Sequence, residues 1–323
     1  MPTGFGVAKQ INEIVKKHDL ALIEILRIGP RFFIGLYRRN GKKALLKISL
    51  GHTKENDDFR RVCRKLNRES RFLDILSHYR DPFLKKTVLK LIDFETKNRA
   101  WYLREYIEAT PQNFNKSNFL FRKSFFNDRA STFLAQFFAS LHGASKDFPS
   151  SFKKTLKRYP LENQQEGARC FEILENRGLS HLKEKVKKFL DAKREIFDKN
   201  QNVITHYEAY APHILKDIDS NFYFIDWENV DWGNIARDIA TLWIRAFEHP
   251  TWQKDLIEKF LKFSSPEQKK YFKDLFGVEV ILRSVFKIDY LGWTQDKDEL
   301  RMKDQVIEFL KANIEKALEE KLL

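Results

Sequence analysis

The chain has 323 residues and carries 59 Lys and Arg against 45 Asp and Glu, a formal charge of +14. At 42 % hydrophobic and 32 % charged it suits a globular chain long enough for two packed units. That composition excludes disorder and collagen-like repeats, and with only 12 glycines it argues against turn-rich propellers.

The first hundred residues read as helix, strands, helix, strands. Val7 to His18 predicts a short helix, and Leu20 to Ile28, Phe32 to Arg39 and Lys42 to Leu50 predict three strands. Asn40-Gly41 is a two-residue hairpin signal. Thr53 to Tyr79 predicts a long helix with Thr53 as its N-cap and Asp81-Pro82 as its stop. Thr87 to Glu95 and Arg99 to Ile107 predict a second strand pair, completing a five-stranded antiparallel sheet. After Thr110-Pro111 the periodicity turns helical: Arg122 to Ala144 with Gly143 as terminator, then Leu161 to Lys199, then Ile235 to the end. A β-island interrupts the helices at Val203 to Thr205, His213 to Asp217 and Asn221 to Asp226. The expected fold is α+β and two-lobed, with an N-terminal lobe over residues 1–103, a hinge over 104–111 and a mainly helical C-terminal lobe over 112–323.

Charge divides along the same line. Residues 1–103 hold 23 basic and 11 acidic side chains, and the remainder 36 and 34. A polyanion would therefore meet the N-terminal lobe first, where Arg60, Arg61, Arg64, Lys65, Arg68 and Arg71 load the long helix; solvated helix faces explain the same residues. Cys63 and Cys170 form no CxxC pattern, which excludes a disulfide scaffold and a thiolate zinc site. With no secretory leader in Met1 to Gln10 and no run of about 18 apolar residues, a cytoplasmic location is expected.

Two constellations carry chemistry. Val62, Leu66, Glu69, Leu73 and Leu76 share one helix face, and a carboxylate on an apolar stripe needs a cation to meet it. In the third strand Ala44, Leu46 and Ile48 point one way and Leu45, Lys47 and Ser49 the other, leaving Lys47 a lone cation one element before Glu69. A rim salt bridge is the plainer explanation of that pair. The second constellation is the β-island. With a turn at Ile218 to Asn221, Leu215 faces Phe224 and His213 faces Asp226, an imidazole beside a carboxylate as a cation site requires. Glu208 enters that hairpin, placed to take a proton from a hydroxyl.

These parts resemble protein-kinase-like phosphotransferases, in the form of the aminoglycoside phosphotransferase and choline kinase family. The resemblance rests on Phe138-Ala139-Ser140-Leu141-His142, on His206 to Leu215, on Ile225-Asp226-Trp227-Glu228 and on Asp238-Ile239-Ala240, in family order over nearly the whole chain. It implies ATP and Mg²⁺ or Mn²⁺ as cofactors and a small-molecule hydroxyl as acceptor. Lys47 would hold the phosphates and Glu69 would orient it. Leu103 to Tyr106, with Arg104, Glu105 and Tyr106, would be the hinge meeting adenine, and Ile28 to Gly35 would cover the phosphates, although Pro30 and Phe32 make a poor N–H cradle. Asp226 and His213 would bind the metal, and Glu208 with His206 would form the catalytic loop.

Three residues depart from the family pattern. Glu208 stands where the family has its catalytic aspartate, His213 where it has asparagine, and Tyr207 where it has glycine. A base displaced by about 1 Å can cost about a hundredfold in rate, and an imidazole suits Mn²⁺ better than Mg²⁺. A histidine at this place is also similar to the lipopolysaccharide-core heptose kinases, whose short spacing before the loop is not found here. The alternative is thus a pseudokinase-like module that keeps the fold without efficient catalysis. For the acceptor, Glu208, Glu228 and Asp231 beside Trp227 and Trp232 suggest a small cation or sugar pocket, or a tryptophan core.

Overall fold

The computed structural model describes residues 3–50, 57–96, 99–109, 121–161, 167–295 and 297–323. In chain order its elements are α1 (Thr3–His18), β1 (Ala21–Ile28), β2 (Phe32–Arg39), β3 (Lys42–Ser49), α2 (Asp57–Ser77), α3 (Pro82–Lys86), β4 (Leu91–Glu95) and β5 (Trp101–Glu105). There follow α4 (Asp128–Ala144), α5 (Ser150–Lys153), α6 (Gly167–Asn176), α7 (Ser180–Lys199), β6 (Val203–Thr205), β7 (Ile214–Lys216), β8 (Phe222–Phe224) and β9 (Asp231–Gly233). The chain ends with α8 (Arg237–Ile244), α9 (Pro250–Phe263), α10 (Pro266–Lys269), α11 (Phe272–Leu291) and α12 (Lys297–Leu318). Two compact units result, Met1–Thr110 with Leu215–Asn229, and Pro111–Ile214 with Val230–Leu323. Residues 215–229, which the sequence reading assigned to the second lobe, thus pack with the first unit.

In the first unit the five strands run in the order β1-β2-β3-β5-β4, each antiparallel to its neighbours. Asn40 and Gly41 both hold positive φ, 49° and 75°, which is the two-residue turn that matches strand twist. The predicted alternation of β3 decides which cores form. Ala44, Leu46 and Ile48 join Ile14, Tyr37 and Trp101 under α1, whereas Leu45 joins Cys63, Leu66 and Tyr102 under α2. The α2 stripe is buried as its spacing requires: Val62, Leu66, Glu69, Leu73 and Leu76 are each at most 2 % exposed. Thr53, its expected N-cap, and the Thr110-Pro111 boundary lie outside the described residues.

Asp81-Pro82 starts a helix rather than stopping one. The Asp81 carboxylate accepts from the N–H groups of Phe83 and Leu84 and Pro82 opens α3, a favoured N-terminal pairing. Strand β4 accordingly begins at Leu91, later than expected. Ahead of it Val88 makes a parallel bridge to Phe224, and the Phe224 N–H donates to the Thr87 carbonyl at 3.0 Å. Trp227, fully buried, lies 4.3 Å from Phe72 of α2, ring centre to ring centre. These contacts tie residues 215–229 to the sheet unit.

The β7–β8 turn differs from the expected one. The Asp217 N–H donates to the Asn221 carbonyl and the Ser220 N–H to the Asp217 carbonyl, with Ser220 at φ 65°. The loop therefore holds three residues with a left-handed third, not two. Asp217 stands opposite Asn221, a slip of one residue that overturns the expected facing of His213 and Asp226.

In the second unit the helices start and stop where their caps dictate. The Asn127 side chain caps α4, so the helix begins at Asp128 instead of Arg122, and it runs through Gly143 to Ala144. Gly178, at φ 71°, closes α6, with the Leu179 N–H returning to the Leu174 carbonyl, a left-handed helix end that splits the long predicted helical stretch. Strand β6 pairs with β9, α4 packs along α9, and α11 packs against α7, α8 and α12. No helix among the described residues is long and apolar enough to cross a membrane.

Candidate functional site

In the first unit, β3, α2 and the segment after β8 bring Lys47, Glu69 and Asp226 together. The Lys47 ammonium donates to Glu69 Oε2 at 2.8 Å and to Asp226 Oδ1 at 3.1 Å, with Glu228 Oε2 at 3.8 Å. Two further donors hold Glu69: the Tyr102 hydroxyl donates to Oε1 at 3.2 Å and the Trp227 N–H to the same oxygen at 3.3 Å, while Phe32 sets its ring 4.6 Å from the Lys47 ammonium. The pair is buried, with Lys47 5 % and Glu69 1 % exposed, which rules out the rim salt bridge.

Burial alone pushes the Lys47 ammonium down, but Glu69, Tyr102, Asp226 and Glu228 outweigh it and its pKa stands well above the ordinary lysine value. Glu69 is also raised, by burial in the first place and then by Asp226 and Glu228, against the opposing pull of Lys47. Lys65 reaches Glu228 at 3.3 Å and Asn229 at 2.6 Å, a second ammonium group at the edge of the cluster. Of those carboxylates Asp226 is the most open, its side chain 34 % exposed against 12 % for Glu228 and 2 % for Glu69. It also holds φ 64°, a conformation that costs a non-glycine residue about 1–3 kcal/mol and clusters at functional sites. The donor chemistry and exposure of Asp226 fit a divalent cation. Among the described residues no group of three or more His, Cys, Asp and Glu is arranged to hold a metal.

A cleft of about 570 Å³ opens over this cluster, lined by Lys47, Glu69, Asp226 and Glu228 on one side and by Arg27, Arg31 and Arg104 elsewhere. Arg27 comes from the end of β1 and Arg31 from the β1–β2 turn, so guanidinium groups stand in and beside the segment that lacks a glycine-rich N–H cradle. Of the three hinge residues, Arg104 alone lines the cleft. Its guanidinium donates to the Glu105 carbonyl at 2.9 Å, while the backbone N–H groups of Glu105 and Tyr106 are spent on Lys90 and Lys43.

The second unit holds the loop from His206 to His213. Asp238, fully buried at the start of α8, accepts from the His206 N–H at 2.9 Å and the Tyr207 N–H at 3.1 Å. Burial raises the Asp238 carboxyl to about 7 even against those bonds. They hold Tyr207 at φ 69°, the left-handed region where glycine is at ease, and the Arg237 guanidinium lies 3.7 Å from the centre of the Tyr207 ring. His206 is fully buried and its ring is 5.8 Å from that of His213, so His206 shapes the loop from beneath. The His213 Nδ1 lies 2.8 Å from the Glu208 carbonyl oxygen. A carbonyl only accepts, so Nδ1 is the donor in this contact, which orients the ring as a backbone carbonyl does for many metal-binding histidines. Glu208 is half-buried on the same loop.

Across residues 64–268 the sequence matches the profile of the phosphotransferase enzyme family, APH. The chain belongs to that family. Solved structures that share its α+β, protein-kinase-like fold include the microcompartment-associated aminopropanol kinase, at 14 % identity and TM-score 0.61 over 98 % of this chain and 99 % of that one. The streptomycin–ATP ternary complex of APH(2″)-IIa matches at 14 % identity and TM-score 0.58, over 98 % of each chain. Spectinomycin phosphotransferase APH(9)-Ia, in complex with ADP and spectinomycin, matches at 14 % and 0.56, again over 98 % of each. At that identity the likenesses show fold alone. No curated protein matches the sequence.

The APH-family motifs were readable in the sequence; the residues that brace them were not. Tyr102, Phe32, Arg27 and Arg31 looked like ordinary strand and turn residues. The strand period alone offered a signal for Tyr102, since its pairing with Lys47 puts both side chains on the α2 face. Two of the three acidic residues suggested for a cationic acceptor are engaged with neighbouring protein groups. Glu228 meets Lys47 and Lys65, and Asp231 accepts from the Lys157 N–H and the Tyr159 hydroxyl. Trp227 is core, and Trp232 is half-buried with Arg158 5.8 Å from its ring centre.

Proposed function

We propose that this phosphotransferase uses ATP and a divalent metal ion to move the γ-phosphoryl group to a hydroxyl of a small molecule. The observation that carries the reading is the buried Lys47–Glu69 pair with Asp226 at its edge, opening onto a cleft lined by arginines. Lys47 holds phosphate oxygens once nucleotide displaces part of its contact with Asp226, and Glu69, fixed by Tyr102 and Trp227, keeps the ammonium aimed. Arg27 and Arg31 neutralise the triphosphate, and Arg104 flanks the base. Asp226 is the carboxylate that would hold the metal, with His213 at the second family ligand position; a bound divalent ion supplies charge neutralisation on the phosphates. Glu208 accepts the proton of the attacking hydroxyl, and Asp238 keeps the loop that carries it in shape.

A second reading has an observation of its own in favour. Tyr207 in a left-handed conformation and Glu208 in the aspartate position are what a non-catalytic, nucleotide-binding module would tolerate. A polyanion partner for the α2 basic face has less behind it, because Lys65 is committed to Glu228 and Asn229. ADP release from ATP with Mg²⁺ or Mn²⁺, lost in Glu208→Gln and Asp226→Asn, supports the enzyme. Metal-dependent ATP binding without turnover under both metals supports the module and overturns the enzyme.

A further inference from the structure

Strand β5 carries a single basic residue, Arg104, and the register of the sheet sets it on the face that looks into the cleft. Lys47 stands between Ile34 and Tyr102, and one row along that face Leu45 pairs with Arg104, about 7 Å away along β3. Arg31 lies in the other direction, beside Phe32, which pairs with Ser49. Phosphates held between Lys47 and Arg31 therefore leave the Leu45–Arg104 row to the base. Ile34, Leu45 and Ile225 line the cleft together with Arg104 and offer a flat ring apolar surface.

Arg104 is out of keeping with that apolar row. It is 7 % exposed, and a buried cation is costly unless something answers it. Among the described residues its guanidinium makes one hydrogen bond, from Nη1 to the Glu105 carbonyl at 2.9 Å, and no ion pair. None of its nitrogens is sealed from solvent without a partner. A guanidinium is all donors with no acceptor, so the donors left over open into the cleft that the residue lines.

The base end of the cleft is thus a wall of N–H groups. Adenine sets its exocyclic amino group, itself a donor, between N1 and N7, so on either edge a guanidinium meets an acceptor and a like group. Guanine sets O6 beside N7, adjacent acceptors that match the guanidinium fork. The Glu105 carbonyl, which could answer the amino group of adenine, already accepts from Arg104. The Glu105 and Tyr106 N–H groups, which could answer its ring nitrogens, donate to the carbonyls of Lys90 and Lys43.

We infer that Arg104 selects the base of the phosphoryl donor, and that the cleft holds guanine nucleotides in preference to adenine nucleotides by reading O6 and N7. This selectivity rests on the proposed nucleotide site and names its better occupant: GTP binds more tightly, with ATP the weaker donor.

The test titrates the full chain calorimetrically with GDP, IDP and ADP, in Mg²⁺ and again in Mn²⁺, the diphosphates keeping turnover out of the measurement. IDP shares O6 and N7 with GDP but lacks its 2-amino group. GDP and IDP should both bind at least about tenfold more tightly than ADP. Arg104→Gln replaces the fork with an amide, which suits adenine N6 and N7; it should weaken GDP and IDP by at least about tenfold and leave ADP no weaker. The retained ADP binding shows that the variant is folded. Arg104→Lys keeps the cation but cannot span both acceptors, and should lose most of the preference as well. ADP bound as tightly as GDP, or more so, upholds the nucleotide site and overturns the selectivity. So does IDP ranking with ADP, since the 2-amino group is then what is read, and so does a GDP preference that both substitutions leave unmoved. Binding of none of the three under either metal overturns the nucleotide site itself, and the selectivity with it.

Discussion

Lys47 answers to more negative charge than it can neutralise, and this governs what its removal does. Lys47→Ala leaves Glu69 buried without its cation; loss of one partner of a buried pair costs about 3–5 kcal/mol, to be read from urea unfolding, and ATP-induced stabilisation should vanish with it. Tyr102→Phe is the subtler change. It removes one donor to an ionised group, worth about 1.5–3 kcal/mol, and should lower turnover while leaving the fold intact. His142 makes a different prediction. Fully buried between Phe138 and Phe260, its imidazole is pushed down to about 3 by burial. Neutral in the fold and protonatable in the unfolded chain, it makes the unfolded state the better proton binder below pH 6.5. Stability should therefore fall as pH drops from 6.5 towards 3, by at most about 1.4 kcal/mol per pH unit from this residue. His142→Phe should remove that slope in unfolding curves recorded across the range. The sequence showed Lys47 and Glu69 because each breaks an apolar pattern. It did not show Tyr102, since a tyrosine in a strand breaks none, and it did not show that His142 is a core residue.

At the scale of elements, the loop from His206 to His213 depends on a carboxylate more than thirty residues away. Asp238→Ala strips the acceptor from the His206 and Tyr207 N–H groups and releases a tyrosine held in a glycine-like conformation. A shift of about 1 Å in the base is enough for a hundredfold loss of turnover, so kcat should fall by at least that much. ATP-induced stabilisation should persist, because Lys47, Glu69 and Asp226 belong to the other unit. In the small sheet, Gly41→Ala should cost about 1 kcal/mol of stability through its positive φ, seen as a lowered Tm. Elements whose signals are local were legible in sequence: the Asn40-Gly41 hairpin, the α2 stripe and the short β6 strand. Those decided by a competing cap or an extra loop residue were not. Asp81 could end one helix or begin another, and only the Phe83 and Leu84 N–H groups decide it. Ser220 in a left-handed turn carries no signature that Gly or Asn would have supplied, so the β7–β8 register slipped by one.

For the molecule as a whole, nucleotide binding is a linkage effect. ATP with Mg²⁺ or Mn²⁺ at a hundred times its Kd should stabilise the chain by about 2.7 kcal/mol, and a thermal-shift series with each metal reads which one the Asp226 site prefers. The two-part plan was legible from the change of periodicity after the fifth strand and from the charge asymmetry. What no local pattern signalled is that the first unit is discontinuous, with residues 215–229 returning to it across more than a hundred positions. During synthesis the ribosome must pass Asn229 before Lys47 can meet Asp226 or Glu69 can meet the Trp227 amide. Until then the nascent sheet carries an unfinished anion–cation cradle, and a shortened transcript ending after the fifth strand encodes Lys47 and Glu69 without the Asp226 and Trp227 groups that meet them.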